Sequence, residues 1–202
     1  MIEVHRDGPL WRLVLNRPEK ANSLTRTMLE ELAAVAETAA GQAKAVVITG
    51  NGKVFSAGAD LEEARSGLAT DRVWERLSGA VAALPCLTVA ALNGTLAGGA
   101  FGMVLACDLR VCVPEARFFY PVMKLGFLPQ PSDPGRLRAL VGPARAKLIR
   151  MGGAKIGAEQ ALSIGLVDAV VERNALEARV SGLCSDALGA ETNHVAGIKA
   201  ML

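Results

Sequence analysis

Apolar residues alternate or cluster at Ile2 to His5 and again at Leu10 to Leu15, around Asp7-Gly8-Pro9. That pattern predicts a β-hairpin. A polar loop follows, Asn16-Arg17-Pro18-Glu19-Lys20. The period then changes: Met28, Leu29, Leu32, Val35 and Ala36 fall on one stripe, predicting a helix capped by Thr25, running through Ala39 and ended by Gly41. Ala45 to Thr49 is wholly apolar, as in a strand buried on both faces. Asp71 is placed to cap a helix through Leu84, which Pro85 stops, and Leu87 to Leu92 reads as the next strand. Beyond a helix from Phe101 to Cys107, a strand is predicted from Leu109 to Val113. Pro143 suits the first turn of a helix through Met151. A short helix (Ala158 to Ile164, closed by Gly165), a strand (Leu166 to Val171) and helices over Ala175 to Leu188 and Glu191 to Leu202 complete the reading. Strands alternating with helices predict an α/β fold with a largely parallel sheet. No repeat or long linker appears, and the nearest thing to a boundary is Gly152-Gly153.

Two glycine-rich segments stand out. Ser56-Ala57-Gly58-Ala59-Asp60 and Asn93-Gly94-Thr95-Leu96-Ala97-Gly98-Gly99-Ala100 each follow an apolar run and precede a predicted helix start. Small residues let the backbone approach a ligand, and a helix start offers N–H groups with no partner of their own. Two such turns facing each other would hold an oxyanion between two amides. Close helix packing is the alternative use of Gly98-Gly99.

Composition narrows the function classes. Of 202 residues 51% are apolar and 21% charged, which marks a folded chain with a full core. Its 22 basic and 20 acidic residues give a formal charge of +2, too even to point to nucleic acid or an anionic membrane. Cys86, Cys107, Cys112 and Cys184 sit in apolar segments without Cys-x-x-Cys spacing and read as small reduced hydrophobes of a cytoplasmic protein. The acidic start, Met1-Ile2-Glu3-Val4-His5-Arg6-Asp7, predicts no signal peptide. Leu77 to Cys107 carries no formal charge, but Pro85, Asn93-Gly94 and Gly98-Gly99 cut it into pieces too short to span a bilayer. The two histidines and four cysteines show no metal-ligand spacing, and no nucleotide-binding glycine motif is present.

The ordered series Leu15-Asn16-Arg17-Pro18-Glu19-Lys20-Ala21-Asn22, Val47-Ile48-Thr49-Gly50, Phe55 to Leu61, Ala91-Leu92-Asn93-Gly94 with Gly98-Gly99, Ala106-Cys107-Asp108-Leu109-Arg110, Lys124-Leu125-Gly126, Arg136-Leu137, Leu140-Val141-Gly142 and Ala161 to Val167 resembles the crotonase, or enoyl-CoA hydratase/isomerase, superfamily. The likeness runs in order over residues 2–171. It implies a crotonase-like ββα spiral with a core over residues 1–171, a short C-terminal helical segment over residues 172–202, and assembly as a homotrimer or hexamer. It implies an acyl-CoA ligand, with coenzyme A entering as part of the substrate and no permanently bound cofactor. Residue-wise matching puts the two oxyanion amides on Ala59 and Gly99. Lys20-Ala21 and the stretch Ala57 to Leu61, including Asp60, match the edges of the coenzyme A groove. Lys20 either reaches a phosphate as a point charge or is a solvated loop residue.

Departures from the family pattern carry equal weight. Hydratases of the family use two glutamates, and their positions here hold Gly102 and Val122, which cannot move a proton. The usual general acid–base gain, about 10²–10⁴-fold, cannot come from these two positions. Some isomerases carry one acid in the loop after Lys-Leu-Gly, and this chain has Gln130 there, which hydrogen-bonds but is no base. Asp133 is the only carboxylate of that loop. It is either a displaced general base or the cap of the next helix. Tyr120, two residues before Val122, either lends a hydroxyl to the pocket or is a core aromatic. Family members also usually carry a further helical segment beyond the region matching Leu202. Three readings follow. One is an atypical isomerase, decarboxylase or thioesterase working through a thioester enolate, another a non-catalytic acyl-CoA-binding protein, and the third a structural member that keeps only the fold.

Overall fold

In the computed structural model, which describes residues 1–202, β1 (Ile2–Asp7) and β2 (Leu10–Leu15) form the expected antiparallel hairpin. β2 then pairs in parallel with β3 (Ala45–Gly50), β3 with β5 (Leu87–Leu92), β5 with β7 (Leu109–Cys112), and β7 with β10 (Ala169–Val170). Leu13, Ile48 and Ala90 lie in register across three of these strands, all at 0% exposure. Burial on both faces is why β3 is apolar throughout rather than alternating.

A second sheet runs β4 (Val54–Ser56), β6 (Thr95–Ala97), β8 (Arg117–Phe119), β9 (Ile156–Gly157). The consecutive pairs β3/β4, β5/β6 and β7/β8 each send their first strand to the six-stranded sheet and their second to this smaller one. This is a ββα spiral. The expected strands are present, but β4, β6, β8 and β9 lie outside the sequence expectation. At two or three residues each they are too short to show a period of two.

Helices follow the strand pairs. α1 (Arg26–Ala39) is capped by Thr25, whose Oγ1 accepts from Met28 N at 3.3 Å. α2 (Leu61–Arg65) is capped by Asp60 and α3 (Val73–Ala82) by Asp71, which accepts from Val73 N at 2.8 Å. α3 packs against α1 on one side and α4 (Phe101–Leu105) on the other. α5 (Val122–Leu125) is a single turn. α6 (Asp133–Arg150) bends at Gly142 (φ 77, ψ 166), so Pro143 does open a helical limb, as its fixed φ favours, but a first limb precedes it. The sequence offered Asp133 as a possible cap here but gave the helix itself only from Pro143, because Pro134 and Gly135 are poor helix formers. α7 (Ala158–Ser163), α8 (Leu176–Gly189) and α9 (Thr192–Met201) fall within a few residues of expectation, and α8 packs across β3, β5 and β7. The uncharged stretch Leu77 to Cys107 resolves into the end of α3, then β5, β6 and α4. No helix is long and apolar enough to cross a membrane.

Two asparagines lock the loop between β3 and β4. Asn22 donates to Asn51 O (2.9 Å) and Val54 O (2.8 Å) and accepts from Arg17 N (2.8 Å). Asn93 donates to Gly52 O (3.0 Å) and accepts from Gly50 N (3.0 Å). Both are buried, so each satisfied amide fixes where the first glycine-rich turn begins.

Candidate functional site

The two glycine-rich turns touch. Gly58 has φ +92, and a methyl group there would lie 2.9 Å from Ala97 O, 3.1 Å from Gly98 Cα and 3.4 Å from Gly99 N. Gly98 has φ +60 and would meet Gly58 Cα at 3.4 Å. Both conformations favour glycine, and the absent side chains are what lets the backbones meet. On the far side, Leu24 N donates to Gly58 O (2.7 Å) and Leu24 O accepts from Asp60 N (2.9 Å). That leaves the amide of Ala59 facing away from Leu24. No turn or loop hydrogen bond and no side-chain oxygen takes up the nitrogen of Ala59 or of Gly99. Gly99 belongs to the turn Gly98–Ala100 that leads into α4, where amides lack a partner inside the helix.

A groove of about 510 Å³ runs from this point, lined by Lys20, Thr25, Ala57, Ala59, Leu61 and Arg65 among others. Lys20, Ala57, Asp60 and Leu61 are thus brought together. Ala21 contributes through its backbone instead: its carbonyl accepts from Ala57 N at 3.0 Å. Asp60 is held by Arg17 at 2.7 Å and accepts from Glu62 N at 3.1 Å. The Arg17 guanidinium, followed by the backbone amides of α2, keeps its carboxyl below the ordinary value. Asp60 therefore shapes the groove wall, while Lys20 and Arg65 remain as groove cations outside the ion pairs.

A second cluster lies one helical turn beyond Gly99. A methyl group on Gly102 would sit 2.9 Å from Asp133 Oδ1 and 3.5 Å from Ser78 Cβ. The Asp133 side chain, at 0% exposure, thus fills the space that a side chain at position 102 would occupy. Its carboxylate lies 3.6 Å from Arg150, and neither oxygen has a hydrogen-bond partner. Burial raises its pKa to about 6, against the opposing pull of Arg150 and Arg136. Arg150 is buried too, its guanidinium 4.1 Å from the Tyr120 ring centre and 5.4 Å from that of Phe101. Asp133 and Arg150 are the two ends of α6, and the bend at Gly142 lets them meet.

The remaining candidates fall elsewhere. Tyr120 is a buried aromatic between Phe101 and Arg150, and burial raises its hydroxyl to about 12. Gln130 lines a separate polar cavity of about 970 Å³ with Glu75, Arg76 and Pro129. Its backbone, not its amide, serves Asp133, whose N donates to Gln130 O at 3.1 Å. The four cysteines are buried and unpaired, with Cys107 and Cys112 raised by burial to about 12.

The sequence model described as Enoyl-CoA hydratase/isomerase matches residues 7–202. The chain belongs to the enoyl-CoA hydratase/isomerase family. It is 36% identical over 172 residues to "Probable enoyl-CoA hydratase echA6" of Mycobacterium bovis, covering 84% of this chain and 70% of that protein. Among solved structures it is similar to an enoyl-CoA hydratase of Bacillus anthracis (30% identity, TM-score 0.89, 98% of this chain and 81% of that one). It is also similar to a Thermobifida fusca protein solved in complex with CoA (28% identity, TM-score 0.89, 98% and 82%). For a chain of this enoyl-CoA hydratase/isomerase family, sequence reasoning named the turns, Lys20 and Asp133. It missed Arg17, Arg65 and Arg150. Arg17 lies in the segment Leu15 to Asn22, but the ion pair it makes spans 43 positions. Arg150 lies at the far end of a bent helix and carries no local signal.

Proposed function

We propose that this chain binds an acyl-CoA, with the thioester oxygen between the amides of Ala59 and Gly99, and moves a double bond through a thioester enolate using Asp133 as its one proton-carrying group. The observation that carries this reading is the juxtaposition of Asp133 Oδ1 with the empty side-chain position of Gly102, at 2.9 Å. Residues i and i+3 of a helix share a face, so a carboxylate against Gly102 is one turn from the Gly99 amide. A buried carboxylate with two unused acceptor sites and a pKa near 6 matches a general base working near neutral pH. In the proposed step Asp133 takes a proton from the α-carbon and the C–H electrons move onto the carbonyl oxygen, where the two amides stabilise them. The same carboxyl returns the proton at the γ-carbon as the double bond shifts. Decarboxylation and thioester cleavage use the same amides and remain the alternative reactions. Lys20 and Arg65 stand ready for coenzyme A phosphates, in keeping with the CoA complex of the T. fusca relative. Action in the cytoplasm as a homotrimer or hexamer belongs to the same proposal.

A second reading, a non-catalytic acyl-CoA binder, is favoured by one fact: Asp133 is wholly sealed from solvent. The test uses an acyl-CoA panel. A thioester at a hundred times its Kd stabilises by about 2.7 kcal/mol, read as a thermal shift. Turnover of a 3-enoyl-CoA that Asp133→Asn abolishes while binding persists supports the enzyme. Binding with no turnover across the panel selects the second reading. Hydration of crotonyl-CoA unaffected by Asp133→Asn overturns the role given to Asp133.

A further inference from the structure

The Trp74 indole packs directly against Gly99. A methyl group on Gly99 would lie 3.2 Å from three atoms of the Trp74 indole. The ring is 4% exposed, and its Nε1 donates to Leu68 O at 2.8 Å, which fixes its orientation. Ser78, one turn further along α3, stands over Gly102 beside Asp133. Trp74 and Ser78 therefore cover Gly99 and Gly102 in register. The groove that reaches Ala59 extends toward Lys20 and Arg65 and includes neither Trp74 nor Ser78. Space is present on the coenzyme A side, and an indole occupies the side toward α3. We infer that Trp74 is a specificity-determining residue that restricts the site to short acyl groups. This rests on the acyl-CoA reading given above.

The chemistry fixes the size of the effect. Each methylene that leaves water is worth about 0.8 kcal/mol, or roughly fourfold in affinity. A site open toward α3 would bind octanoyl-CoA far more tightly than butyryl-CoA; a site closed by an indole would not. The experiment measures Kd for acetyl-, butyryl- and octanoyl-CoA with the whole chain and with Trp74→Phe and Trp74→Ala. The expected result is no gain from butyryl to octanoyl in the unmodified chain, a partial gain in Trp74→Phe and a gain above tenfold in Trp74→Ala. Circular dichroism and melting temperature accompany each variant. If Trp74→Ala does not fold, the Trp74→Phe ratio decides. In a Trp11→Phe background, Trp74 emission should change with butyryl-CoA and not with free CoA. Octanoyl-CoA binding more than tenfold tighter than butyryl-CoA to the unmodified chain overturns the gate and leaves the acyl-CoA reading intact. So does a ratio that neither folded variant moves. Failure of every thioester to bind the unmodified chain overturns the acyl-CoA reading itself, and the gate with it.

Discussion

Placing a methyl group on Gly102 tests the packing on which the site reading depends. Alanine in a helix is favoured over glycine by about 1 kcal/mol, so on backbone grounds Gly102→Ala should stabilise α4. Here the new Cβ would lie 2.9 Å from Asp133 Oδ1, below any ordinary carbon–oxygen contact, and 3.5 Å from Ser78 Cβ, an acceptable one. Asp133 cannot simply swing away, because it is sealed and faces Arg150 at 3.6 Å. Overpacking of this kind costs about 1–3 kcal/mol. The net effect of Gly102→Ala alone is therefore destabilisation of up to about 2 kcal/mol.

Removing the carboxylate should reverse the sign. Asp133→Ala by itself costs about 3–5 kcal/mol, because it leaves Arg150 buried without a counter-charge. In that background the methyl on Gly102 meets only Ser78, and the helix preference of about 1 kcal/mol should emerge. Urea unfolding of the four proteins, compared at a common slope, gives the cycle. A coupling of about 1–3 kcal/mol in favour of the double variant is expected. Additivity within about 0.5 kcal/mol would refute the claim that Asp133 occupies the space above Gly102.

Two further outcomes follow from the same site. Asp133 holds its proton more tightly in the folded chain, at a pKa of about 6 against an ordinary 3.8, so the folded state binds more protons than the unfolded between those values. The stability it contributes should therefore fall as pH rises from about 4 to about 6 and level off above, by something on the order of 3 kcal/mol. Unfolding curves across that range for the chain and for Asp133→Asn check this, and parallel profiles would refute it. At the first turn, Gly58→Ala combines a φ of +92 with a contact of 2.9 Å to Ala97 O. It should cost about 1–3 kcal/mol and lose the thermal shift with acyl-CoA. A variant as stable as the parent that still binds would show that the two turns need not touch.

Much of this site was legible because its logic is local. A strand, a small-residue turn and a helix start leave a mark within a few consecutive residues, and Ala57 to Leu61 and Gly98 to Ala100 carry it. Thr25 and Asp71 were readable as caps for the same reason, since the bond they make spans two or three positions. The four short strands of the second sheet were not, because two or three residues cannot display a period. Nor was the packing of Trp74 against Gly99. Its neighbours in sequence give a helix stripe, and only the packing of α3 on α4 shows that the stripe lies over Gly99.

Gly102 and Asp133 must be taken as a pair. Considered alone, Gly102 is a glycine inside a short buried helix, and Asp133 is a turn residue between two prolines with two ordinary explanations. Together they describe one volume: the side chain absent from α4 is replaced by one that arrives from α6, across 31 positions of chain. The replacement needs α6 to bend, and Gly142, at φ 77, allows the bend that brings Arg150 back to face Asp133. A carboxylate that served only to cap a helix would be expected at the surface, accepting from nearby amides as Asp60 and Asp71 do. Asp133 accepts from none, and its oxygens face Gly102 and Arg150 instead. Burying a charge in this way costs stability unless something compensates. A carboxylate held at such a cost is expected of a group kept for proton transfer, the role proposed for Asp133.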